Sequence, residues 1–127
     1  MDAKVVDASA AAAFVFRERE GIEIAGRLRG ARLVAPALLR FEMASVCLKK
    51  MRRDPASRRA LLDAFEVFER MQIARIEVDH PAVIELANTA GLSSYDASYL
   101  WLAHWLDAEL VTLDAQLGAA VTATRRV

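Results

Sequence analysis

A chain of 127 residues that is 55% apolar can bury roughly two-thirds of its unfolded surface, which predicts one domain over residues 1–127. Seventeen basic residues balance seventeen acidic ones, so bulk charge is excluded as a route to nucleic acid and any such binding must rest on local clusters. Cys47 is the only cysteine, which excludes an intramolecular disulfide framework and fits a reducing compartment.

In chain order, residues 4–6 read as a short strand that enters a helix over about 9–17. The apolar run 8–16 within it follows Asp7 and runs straight into Arg17, Glu18, Arg19 and Glu20, which is not the charge order of a signal peptide. No other stretch approaches the ~20 apolar residues of a membrane span, so a cytoplasmic protein is expected. A further short helix covers about 20–29, and a second strand 32–34. Pro36 stands where proline opens a helix, here running to about 53, and Asp54-Pro55 ends it and starts another reaching about 71. Residues 74–78 form a third strand, and Asp79-His80-Pro81 begins a helix that Gly91 stops. Ser93 or Ser94 caps a helix to about 106, a strand follows over 109–112, and a helix spans about 114–120. Val121 is read as the start of a final edge strand. Strands alternating with helices predict an α/β fold, a parallel sheet of about five short strands with helices on both faces.

Four carboxylates stand in apolar surroundings: Asp7 in Val-Val-Asp-Ala-Ser, Glu42 in Leu-Leu-Arg-Phe-Glu-Met-Ala, Asp96 in Ser-Ser-Tyr-Asp-Ala-Ser-Tyr-Leu, and Asp114 in Leu-Val-Thr-Leu-Asp. Asp7 and Asp114 follow strands and precede helices, so each also reads as an N-cap, and Asp96 lies three residues past Ser93, near a capping-box spacing. Glu42 lies about two turns inside its helix, between Leu38 and Leu39 on one side and Ser45 and Val46 on the other. A charge there needs a salt bridge, for instance to an arginine, or a metal. In a parallel α/β fold all four positions fall at the carboxyl edge of the sheet, where such folds place their sites. Carboxylates crowded together repel and call for a cation, and an all-oxygen set suits Mg²⁺ or Mn²⁺. Such a site suits phosphodiester hydrolysis. Ser9 and Thr112 stand two residues from Asp7 and Asp114 and are expected to orient ligands or water, or else to cap helices.

In order and spacing these fragments, together with Pro36 through Glu42 and Leu110-Val111-Thr112-Leu113-Asp114-Ala115-Gln116-Leu117, resemble the PIN-domain nucleases, especially the VapC-type toxins. The resemblance implies a Rossmann-like PIN sheet, a Mg²⁺- or Mn²⁺-dependent endoribonuclease acting on RNA, a homodimer, and a cognate antitoxin protein that covers the cleft. It carries the acidic-ligand roles to Asp7, Glu42, Asp96 and Asp114, with Ser9 and Thr112 in support. Some members have another acid where this chain has Gln116, so one tight metal site at most is expected.

Lys49, Lys50, Arg52, Arg53, Arg58 and Arg59 form a basic knot around Asp54-Pro55, readable as an RNA or antitoxin contact or as a solvated helix end. Arg125 and Arg126 extend either reading. Trp101 and Trp105, four apart on one helix face, are expected to pack in the core. Three other function classes compete. They are a PIN-like binding module without catalysis, a two-histidine ribonuclease using His80 and His104, and a haloacid-dehalogenase-type phosphatase. The last wants an aspartate at position 9, where this chain has serine.

Overall fold

A computed structural model describes residues 2–124. The apolar strands Ala3–Val6 (β1), Arg32–Pro36 (β2), Ala74–Ile76 (β3) and Glu109–Val111 (β4) pair in one parallel sheet of order β3-β2-β1-β4. Register is set by Val5 opposite both Val34 and Leu110, which places β1 in the middle. Val5 and Val6 are fully buried, as strands covered on both faces require.

Between β1 and β2 run helices Ala8–Val15 (α1) and Gly21–Leu28 (α2); between β2 and β3 run Leu38–Arg53 (α3) and Arg58–Arg70 (α4), joined by a 3₁₀ turn at Pro55–Ser57. Between β3 and β4 come His80–Ala90 (α5) and Ser94–Leu106 (α6), and Ala115–Ala123 (α7) follows β4. The chain moves outward from β1 to β3 and then jumps back across to β4. Because parallel crossovers are right-handed, the jump puts α5 and α6 on the opposite face from α1 to α4. The reversal makes the carboxyl end of β1 the topological switch point. No helix among the described residues is long and apolar enough to cross a membrane.

Two packing devices seat α1 and α6. Ala10 to Ala13 are all buried, so α1 meets its neighbours with small side chains on every face. Gly21 is the closest approach: a Cβ there would stand 2.5 Å from the carbonyl oxygen of Ala13. Replacing Gly21 by Ala is therefore expected to cost on the order of 1–3 kcal/mol, read as a lower urea midpoint at unchanged slope. Gly26→Ala, one turn on, meets nothing within 4 Å and should gain up to about 1 kcal/mol from helix propensity. On the other face, Tyr99, Leu100 and Leu102 of α6 are buried against the sheet.

The α/β class, the sheet and the helix order match the sequence reading, with ends moved by a residue or two. Three expectations are corrected. Pro36 closes β2, paired with Ile76, and the helix begins only at Leu38. Val121 begins no edge strand: Leu117, Ala120 and Val121 meet the core at helical spacing, and α7 continues to Ala123. Trp101 packs at the rim of the core, but Trp105, stacked on it at 5.4 Å, is 62% exposed.

Candidate active site

Each of the four acids is delivered by a different element. Asp7 follows β1 at the switch point and caps α1, its Oδ1 accepting from the Ala10 amide at 3.1 Å. Asp114 follows β4 and caps α7 through the Leu117 amide at 2.9 Å. Asp96 lies in the first turn of α6, whose cap is Ser93 rather than Ser94. Glu42 lies just over one turn into α3, shallower than expected because the helix starts late. The capping readings of Asp7 and Asp114 therefore hold alongside their placement at one sheet edge.

Asp7 is the anchor. It is 5% exposed, yet three donors converge on it: Ser9 Oγ at 2.8 Å, Thr112 Oγ1 at 2.5 Å and the Ala10 amide. An ionised carboxylate offers about four acceptor sites, so one remains for a further partner. The hydroxyls are themselves fixed, Ser9 Oγ accepting from the Leu113 amide at 2.9 Å and Thr112 Oγ1 from the Asp114 amide at 3.0 Å. Ser9 and Thr112 thus weld the β1 and β4 ends together and orient Asp7, with their donor hydrogens spent on it.

Among the described residues no arginine meets Glu42; its Oε1 accepts from the Tyr99 hydroxyl at 2.6 Å. Tyr99 is buried and stands three residues after Asp96, on the same face of α6. In the sequence only its i, i+3 spacing from Asp96 marks Tyr99 as part of this site. The Asp96 carboxylate accepts no hydrogen bond and makes no ion pair among the described residues.

The electrostatics show these acids acting on one another. Burial raises the pKa of Asp7 above its ordinary value; the bonds from Thr112, Ala10 and Ser9 oppose it, and the charge of Asp114 adds to it. Glu42 is raised by burial and by the charges of Asp96 and Asp7, against the Tyr99 bond. Asp96 is raised by burial and by Asp114 and Asp7. The Tyr99 hydroxyl is raised far beyond its usual range by burial and by Glu42, so it stays a donor. Among the described residues no three such groups close on one point as a ready-made metal cage. The donor set nevertheless fits a hard divalent cation: it is all oxygen, mutually repulsive and held by neutral donors.

The other candidates lie elsewhere. Arg53 is eleven residues beyond Glu42 on α3, roughly 16 Å along the axis, so the basic knot stands off the acids. Lys50 is engaged by Glu18 at 2.9 Å and lies over the Phe16 ring, while Lys49, Arg52, Arg53, Arg58 and Arg59 are exposed. Arg125 and Arg126 lie outside the described residues. Gln116 donates to the Gly91 carbonyl at 3.4 Å.

A family model described as PIN domain matches residues 4–121. The chain is 33% identical over 113 residues to VapC ribonuclease Mb0985 of Mycobacterium bovis and to ribonuclease VapC9 of Mycobacterium tuberculosis, covering 89% of this chain and 87% of each relative. The crystal structure of PAE2754 from Pyrobaculum aerophilum superposes with a TM-score of 0.69 at 27% identity, covering 94% of this chain and 79% of that one.

Proposed function

This chain belongs to the PIN-domain family, and from that premise we propose that it is a Mg²⁺- or Mn²⁺-dependent endoribonuclease, the toxin of a toxin–antitoxin pair. In this reading it works in the cytoplasm as a homodimer held in check by a cognate antitoxin. The observation that carries the proposal is that the charges of Asp7, Glu42, Asp96 and Asp114 act on one another at one end of the sheet, in a chain similar over most of its length to VapC ribonucleases.

Asp7, Asp96 and Asp114, with Glu42, would hold the ion. When bound, such an ion supplies charge neutralisation at the scissile phosphate and makes a nearby water more acidic. The chain supplies position. Asp7 is locked by three donors, so its remaining lone pair points in one direction only. Asp96 offers a carboxylate uncommitted among the described residues, and Tyr99 fixes the rotamer of Glu42.

Tyr99 is a positioning residue, and Tyr99→Phe tests that role. Loss of an outer hydrogen bond to a ligand typically costs 10–100-fold in metal affinity or activity. Because the Tyr99 bond lowers the Glu42 pKa, its removal should also move the acid limb of the rate profile to higher pH. A rate loss without that shift would assign Tyr99 to packing alone.

The function itself is tested by incubating the purified protein with total bacterial RNA and mapping new 5′ ends. Discrete cuts with Mg²⁺ or Mn²⁺, abolished by chelator, are expected. Tight metal binding without cuts in any RNA would favour a PIN-like binding module.

A further inference from the structure

Beside the acids, on the β3 side of the sheet edge, lies a groove of about 630 Å³ between the ends of β2 and β3 and the starts of α5 and α6. The volume is that of a small-ligand site. It adjoins the carboxylates covalently: Tyr95 of its wall precedes Asp96, and Leu38 lies one helical turn before Glu42. The floor is apolar, from Ile76 and Val83, while Tyr95 and Ile84 are each 62% exposed. Large apolar side chains left open around a concavity mark a contact surface. Arg75 lines the same groove, is exposed, and has no acidic partner among the described residues.

We propose that this groove seats one unpaired nucleobase of the RNA next to the bond being cut, with the base stacked on Tyr95 and held against Ile84. The inference rests on the ribonuclease reading above. A tyrosine ring takes any base face, and single-stranded RNA is recognised by such splayed, stacked bases. Arg75 is placed to meet an adjoining phosphate. Glu77, the acid of the lining, can accept from an exocyclic amine, which cytosine, adenine and guanine carry and uracil lacks.

The test uses a fluorescein-labelled single-stranded RNA hexamer of mixed sequence, with Mg²⁺, in the Asp7→Asn chain so that the probe survives. Anisotropy is expected to show Tyr95→Ala weakening binding on the order of tenfold, Tyr95→Phe retaining it, and a duplex of the same sequence binding more weakly than the single strand. Ile84→Asp, on the opposite wall, should weaken it as well. Unchanged affinity in both Tyr95→Ala and Ile84→Asp would overturn the groove while leaving cleavage by the unmutated chain, and hence the ribonuclease, intact. Conversion of a dimer to a monomer by Ile84→Asp, with RNA affinity unchanged, would assign the groove to a second copy and overturn the proposal. Failure of the unmutated chain to cut any RNA would overturn both.

Discussion

Replacing Asp7 by Asn is expected to lower RNA cleavage on the order of a hundred- to a thousandfold while leaving the fold intact, the size of loss seen when one preorganised charge-stabilising group is removed. The substitution is nearly isosteric. The Asn carbonyl oxygen can still accept from the Ala10 amide and Ser9, so the cap on α1 survives. What is lost is the negative charge at the switch point, and an amide nitrogen replaces the oxygen that accepts from Thr112. The measurement is kcat/KM on one mapped RNA together with Tm. A comparable loss of activity accompanied by unfolding would say only that Asp7 is structural. Activity near that of the unmutated chain would remove it from the site.

The second large effect concerns stability. Asp7, Glu42 and Asp96 all have pKa values above the ordinary 3.8 for aspartate and 4.5 for glutamate. Between the ordinary and the raised values the folded chain therefore binds more protons than the unfolded one. Stability then falls as pH rises through that window, and the full penalty is present above it. Glu109, lowered by Arg27 and Lys4, works the opposite way, contributing stability that is lost as pH falls through its depressed value. With three raised acids against one lowered, the chelated protein should melt higher at mildly acidic pH than at neutral pH. Mg²⁺ should reverse the neutral-pH penalty, adding about 2.7 kcal/mol at a hundred times its Kd. Asp96→Asn should lose most of that response while the chelated variant is at least as stable as the unmutated chain. A Tm indifferent to Mg²⁺ at neutral pH would contradict the site.

The parallel sheet, the helix order and the strand ends that Asp7 and Asp114 follow were legible because they follow from strand–helix alternation. Asp7 and Asp114 needed only the rule that parallel strands present their carboxyl ends together. What escaped was side-chain pairing across long sequence separation. Tyr99 meets Glu42 across 57 residues, and burial of the tyrosine ring decides that contact, which periodicity cannot show. Ser9 and Thr112 were legible as hydroxyls near the acids, but not as donors to Asp7 from α1 and from the end of β4 at once. Pro36 was misplaced because proline closes a strand as readily as it opens a helix when its missing N–H is not needed. Trp105 was misplaced because helical spacing gives a face and not what covers it.

The most direct measurement is the Mn²⁺ concentration that half-saturates cleavage of one defined RNA, compared between the unmutated chain and Asp96→Asn, Asp114→Asn and Glu42→Gln. One shared ion predicts no cleavage in chelator and a half-saturating concentration raised at least about tenfold in each variant. Cleavage that persists in chelator, or half-saturation unmoved by all three substitutions, would contradict a metal-dependent site built from these acids.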